Sequence, residues 1–141
     1  MKYILAILLS GLLITGCVIK RDLDIELTQQ EQAFYDSLNH SGIAIDSIQR
    51  SISEYFRGHY KGYSDYNLSI YASADTFKKA PMFEQAYSIA EFVANLQIEK
   101  NKIRYCAIMY FYNEIPRAYI NFYIDNNSYR LSFEDISDLA D

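Results

Sequence analysis

The sequence predicts an α+β domain: an N-terminal helical pair, then β-α-β-β-β forming a small mixed sheet with helices on one face. Three observations carry that expectation. Apolar residues recur at helical spacing between Thr28 and Phe56, and a second stripe at the same spacing runs from Pro81 toward Ile98. Three runs of strand-forming residues then follow, separated only by turn-like tetrapeptides.

The first helix opens on Thr28-Gln29-Gln30-Glu31, the spacing of a capping box, in which a hydroxyl accepts from an orphan N–H while the glutamate reaches back. Ala33, Phe34 and Leu38 then share a side, and Asn39-His40-Ser41-Gly42 breaks the pattern. Ile45, Ile48, Ile52, Tyr55 and Phe56 predict a second, antiparallel helix with Gly58 as its stop. Residues 58–66 hold two glycines and three tyrosines (Tyr60, Tyr63 and Tyr66), a loop rich in amphipathic contact groups.

Tyr66, Leu68 and Ile70 alternate with Asn67, Ser69 and Tyr71, the pattern of a half-buried strand. Pro81 suits the first turn of a helix whose stripe is Phe83, Ala86, Tyr87, Ala90, Val93 and Ala94. After the Lys100-Asn101 turn, residues 102–112 are apolar on both faces and belong at the centre of a sheet. Residues 117–124 and 129–133 complete a meander, with turns at Asn113–Pro116 and Asp125–Ser128. The acidic tail 134–141 reads as a terminal helical turn. This order of elements resembles the small cone-shaped α+β domains of the nuclear transport factor 2 type, and the resemblance implies an architecture only.

Composition limits the function classes. The 141 residues carry 13 basic and 18 acidic side chains, a net charge of −5, which argues against a nucleic-acid binder. Aromatic content of 16% excludes a disordered chain, and the length fits one domain.

The first residues read as an address. Lys2 is a short basic region, Tyr3 to Ile14 an apolar one, and Thr15-Gly16 supply the small residues that end a cleavable export signal. Twelve residues at helical rise cover roughly 18 Å, short of a hydrocarbon core of about 30 Å. Ile14-Thr15-Gly16-Cys17 resembles the lipobox of bacterial lipoproteins. The resemblance implies cleavage between Gly16 and Cys17, a diacylglycerol on the Cys17 sulfur and an acyl chain such as palmitate on its new amino group. It divides the chain into a signal peptide (1–16), a lipidated cysteine with a short tether (17–24) and one periplasmic domain (25–141). Val18 stands where an aspartate would favour the inner membrane in such lipoproteins, so the implied location is the outer membrane, facing the periplasm.

Chemistry is sparse. His40 and His59 have no His or Cys within a turn, and no phosphate loop or zinc spacing is present, so no metal, cofactor or catalytic residue is assigned. Cys106 lies in a strand-like run and reads as a small buried hydrophobe. All of the fourteen tyrosines but Tyr3 belong to the mature chain. His59, Tyr60, Tyr63 and Tyr66 of the loop, with Tyr119 and Tyr123 of the sheet, are the candidate partner contacts. The expected function is a non-enzymatic binding or assembly module, held to the membrane by lipid and bound to an envelope protein, for example of a secretion or pilus machine. A periplasmic inhibitor or immunity protein, and a small-ligand-binding domain, stand as alternatives.

Overall fold

The computed structural model describes residues 19–38, 43–72, 79–125 and 128–133, the last strand by its backbone. The lipobox with Gly16 and Cys17, the Asn39–Gly42 break and the acidic tail lie outside the described residues. The elements are β1 (Ile19–Leu23), α1 (Gln29–Leu38), β2 (Ser47–Arg57), β3 (Tyr63–Ala72), α2 (Lys79–Ala94), β4 (Gln97–Ile98), β5 (Asn101–Tyr112), β6 (Ile115–Asp125) and β7 (Ser128–Phe133).

The strands form one curled mixed sheet in the order β1-β2-β3-β5-β6-β7, with the two-residue β4 beside β5. β3 and β5 pair in parallel through α2, and every other pairing is antiparallel. The fold is therefore two antiparallel halves joined along one parallel seam.

The N-terminal helical pair is overturned. Its second member, 45–56, is strand β2. The reason lies in what faces inward. Ile48, Arg50, Ile52 and Glu54 stand opposite Ile70, Leu68, Tyr66 and Ser64 of β3, so the period is two. Arg50 and Glu54 occupy inward positions and hide that alternation from any reading of apolar residues alone. Ile favours extended backbone, and Ser is a weak helix former because its hydroxyl competes for backbone hydrogen bonds. The expected tether is corrected too, because residues 19–23 pair with β2 from Ile19↔Arg57 to Leu23↔Ile52.

Both helices pack on one face. α1 begins with the capping box: Thr28 N–H donates to Glu31 Oε2 at 2.8 Å and Glu31 N–H to Thr28 Oγ1 at 3.2 Å. α2 turns Met82, Ala86, Ile89, Ala90 and Val93 onto the sheet, all fully buried, and its alanines allow close approach. Phe34 and Phe92 stack at 4.0 Å and tie the two helices together. Beneath them the core is built from Ile52, Tyr66, Leu68, Ile70, Ile108, Tyr110, Ile120 and Phe122.

A charged cluster sits inside this core. Glu31 is fully buried and Arg50 is 2% exposed in its side chain. Arg50 Nε and Nη2 donate to Glu31 Oε1 and Oε2 at 3.0 and 3.1 Å, while Nη1 and Nη2 donate to the carbonyls of Ile25 and Glu26. The Tyr66 hydroxyl donates to Glu31 Oε1 at 2.8 Å and is hydrogen-bonded in turn to the Tyr35 hydroxyl. Since the Tyr66 proton is committed to Glu31, Tyr35 is the donor in that second bond. Every strong donor and acceptor is matched, which makes the buried pair tolerable.

Cys106 is buried and free. Burial pushes its thiol well above the ordinary range, so it stays protonated at neutral pH. Iodoacetamide should therefore leave Cys106 unmodified in the native protein and alkylate it in the urea-unfolded chain, as read by mass spectrometry of the peptide that contains it. Alkylation of the native fold at the unfolded rate would contradict this burial.

Candidate functional site

Strand alternation that sends Tyr66, Leu68 and Ile70 under the helices sends their neighbours to the opposite face, which no described helix covers. Register orders that face into rows across β2, β3, β5 and β6. Ser53, Asp65, Tyr105 and Tyr123 form one row, and Ser51, Asn67, Ala107 and Asn121 the next. Gln49, Ser69, Met109 and Tyr119 follow, and Tyr71 with Phe111 closes the far end. Small, polar side chains thus lie between aromatic ends roughly 20 Å apart, at about 6.7 Å per row. Ala107 and Asn121 are only 5% and 6% exposed, whereas Tyr123 stands 43% exposed above them.

Hydrogen bonds fix the taller groups. The Tyr105 hydroxyl donates to Asn121 Oδ1 and lies 3.2 Å from the Tyr119 hydroxyl, and the Tyr105 and Tyr123 rings meet at 4.9 Å. Burial first, then the Tyr119 contact, pushes the Tyr105 phenol far up, so it stays protonated and able to donate at physiological pH.

One end of the face is closed by an arginine clamp. Arg104 donates from Nε to Asp65 Oδ1 at 3.1 Å, and from Nη2 to Asp65 Oδ1 and Oδ2 at 2.8 and 3.0 Å. It lies under the Tyr60 ring at 4.1 Å and near the Tyr55 ring at 5.1 Å. The Tyr55 hydroxyl donates to Asp65 Oδ2 at 2.6 Å, and burial followed by that bond raises its pKa. The partial burial of Arg104 works against its charge, yet the Asp65 carboxylate outweighs it and raises the arginine's pKa. The loop 58–62 is held in place by glycines: Gly58 and Gly62 have φ of 88° and 87°. A Cβ on Gly62 would meet nothing within 4 Å, so backbone conformation rather than space selects glycine there.

At the other end lies an open cleft of about 500 Å³ lined by Asp46, Gln49, Tyr71, Phe111 and Glu114 among others. The Tyr71 and Phe111 rings stack at 4.7 Å along its wall.

The structure distributes the expected contacts unevenly. Tyr60, Tyr119 and Tyr123 share the uncovered face. His59 and Tyr63 are exposed at the strand ends beside it, and the His59 ring lies 3.8 Å from that of Tyr60. Tyr66 is fully buried against Glu31 on the helix side, so it is a core residue and no surface contact. Tyr55, Asp65, Arg104, Tyr105, Tyr71 and Phe111 belong to the face and were missed: alternation along β3 and β5 places Asp65, Tyr71, Tyr105 and Phe111 there, whereas Tyr55 comes from β2 and Arg104 from the register shift between β3 and β5. Among the described residues no group of three or more His, Cys, Asp or Glu side chains could hold a metal ion. Nor is any described helix long and apolar enough to cross a membrane.

Compared with protein-family models, with curated proteins and with solved structures, the chain matches none.

Proposed function

We propose that the protein is an outer-membrane lipoprotein, anchored through Cys17 and facing the periplasm. Its domain acts without catalysis, holding an envelope protein against the uncovered sheet face. The observation that carries the reading is that face itself: tyrosine rings around small, polar side chains, on the side of the sheet away from both helices. Rigid, hydrogen-bonded tyrosines give large contact area at low entropic cost, and a tyrosine-rich patch of this kind suits recognition of a protein surface. The acidic, aromatic cleft at Asp46, Tyr71, Phe111 and Glu114 supports a second reading, a small cationic ligand, because its volume lies in the range of ligand sites.

Cross-linking in intact cells, followed by affinity capture of the full-length protein and mass spectrometry, separates the two. Wild type should recover a defined envelope protein, and Tyr123→Ala or Tyr119→Ala should recover it about tenfold less, the effect of losing a well-packed aromatic anchor. Tyr87→Ala, on α2, should recover it as wild type does. Equal recovery by all four proteins removes the sheet face as the contact. Loss of a small ligand by Glu114→Gln, with no protein partner captured, favours the cleft.

A further inference from the structure

We infer that the end of the sheet at which β1 begins is a membrane-apposed face that seats the domain on an anionic lipid surface. The inference rests on the Cys17 anchor proposed above. Only Val18 separates Cys17 from Ile19, the first residue of β1, so the lipidated residue lies within roughly 7 Å of a hydrogen-bonded strand. Ile19 pairs with Arg57, the last residue of β2, and Tyr63 at the start of β3 pairs with Lys102 near the start of β5. These four strand ends therefore face the lipid together, across about 14 Å at the spacing of neighbouring strands.

The side chains at that end suit the occupant. Lys20, Arg57, Lys61, Lys100 and Lys102 are all exposed there, in a chain whose net charge is −5. Glu99 is exposed among them and Asp125 ends β6 at the same end. Arg21 and Arg104, also near it, are paired to Glu54 and Asp65. The exposed acids Asp46 and Glu114 lie at the opposite end, against the cleft, where Arg117 is the exposed base, so the described lysines with exposed side chains gather at the β1 end. Phe56 and Tyr63, 46% and 40% exposed, flank the basic end and are residue types that settle at the level of lipid headgroups. A short anchor, basic groups and interfacial aromatics at one end of the molecule fit an anionic bilayer surface.

The chain contains no tryptophan, so single-tryptophan variants report position against no background. Lipidated Tyr63→Trp, Phe56→Trp and Ile115→Trp proteins would be reconstituted on phosphatidylethanolamine–phosphatidylglycerol vesicles carrying brominated acyl chains. Ile115 is 62% exposed and starts β6 at the far end. Emission from Tyr63→Trp and Phe56→Trp should be quenched at least about twofold more than that from Ile115→Trp. Adding Lys61→Glu and Lys102→Glu, or raising salt, should shrink the difference. Equal quenching at both ends, on vesicles that float with the protein bound, overturns the seating and leaves the anchor intact. Failure of the wild-type protein to float with the vesicles overturns the anchor and the seating with it.

Discussion

Glu31→Ala should cost about 3–5 kcal/mol, the penalty for breaking a buried ion pair from one side. The loss is large against a domain stability of about 5–15 kcal/mol, so the variant should unfold at far lower urea. Removing the carboxylate leaves the Arg50 guanidinium buried with only the Ile25 and Glu26 carbonyls for partners. It also unpairs the Tyr66 hydroxyl and strips the capping box from α1. Replacing the pair together, Glu31→Leu with Arg50→Met, should recover most of the loss, because no uncompensated charge remains. A double variant as unstable as Glu31→Ala would show that helix capping, rather than charge pairing, dominates at this position.

The same carboxylate sets an acid limb. Burial works to raise the Glu31 pKa, but the Thr28 N–H, the Tyr66 hydroxyl and the Arg50 charge outweigh it and hold the group below its ordinary value of 4.5. A lowered folded-state pKa means that the unfolded chain binds the proton more tightly. The stabilisation is therefore complete above about pH 4.5 and drains away as pH falls through the lower folded value. Glu31→Gln should flatten that limb in urea titrations repeated at several pH values. An unchanged slope would mean that other carboxylates carry it.

Cys17→Ser should abolish lipid labelling in cells fed a radioactive fatty acid and leave a precursor longer by residues 1–16. Several acyl chains, at about 0.8 kcal/mol per buried CH₂, exceed what stable anchoring requires, whereas no described helix is long and apolar enough to cross a membrane. The change should be all-or-none because, in the proposed lipoprotein, the thiol is the acceptor of the first lipid and a serine hydroxyl is a poor substitute nucleophile. Fold and anchor separate cleanly in this test, since the first described strand starts at Ile19, two residues further on. Labelling at the wild-type level would sink the lipoprotein reading outright.

These outcomes also mark what could be read from residues alone. The helices α1 and α2 and the strands after residue 100 were legible because caps, turns and apolar period agree with one another there. Strand β2 was not, because its inward positions hold Arg50 and Glu54, whose partners Glu31, Arg21 and Asn101 come from elsewhere in the chain. Strand β1 was hidden for a related reason. Lys20, Arg21 and Asp22 look like a solvated linker, and only the partner strand makes them an edge. Tyr66 was drawn to the loop by its tyrosine neighbours, yet its alternation with Leu68 and Ile70 already assigned it to the core. The site followed the same division. Rows on one face require register between strands distant in sequence, as for Asp65 and Tyr105, and no local pattern encodes that.

The position of β1 has a mechanical meaning. In the proposed lipoprotein, with the anchor just before β1 and the partner on the sheet, any pull that draws the partner from the bilayer runs along the strand axis. The bonds from Ile19↔Arg57 to Leu23↔Ile52 then bear the load side by side in shear, instead of opening one after another like a zipper. An edge strand, usually the weakest member of a sheet, becomes the force-bearing clamp between lipid and cargo.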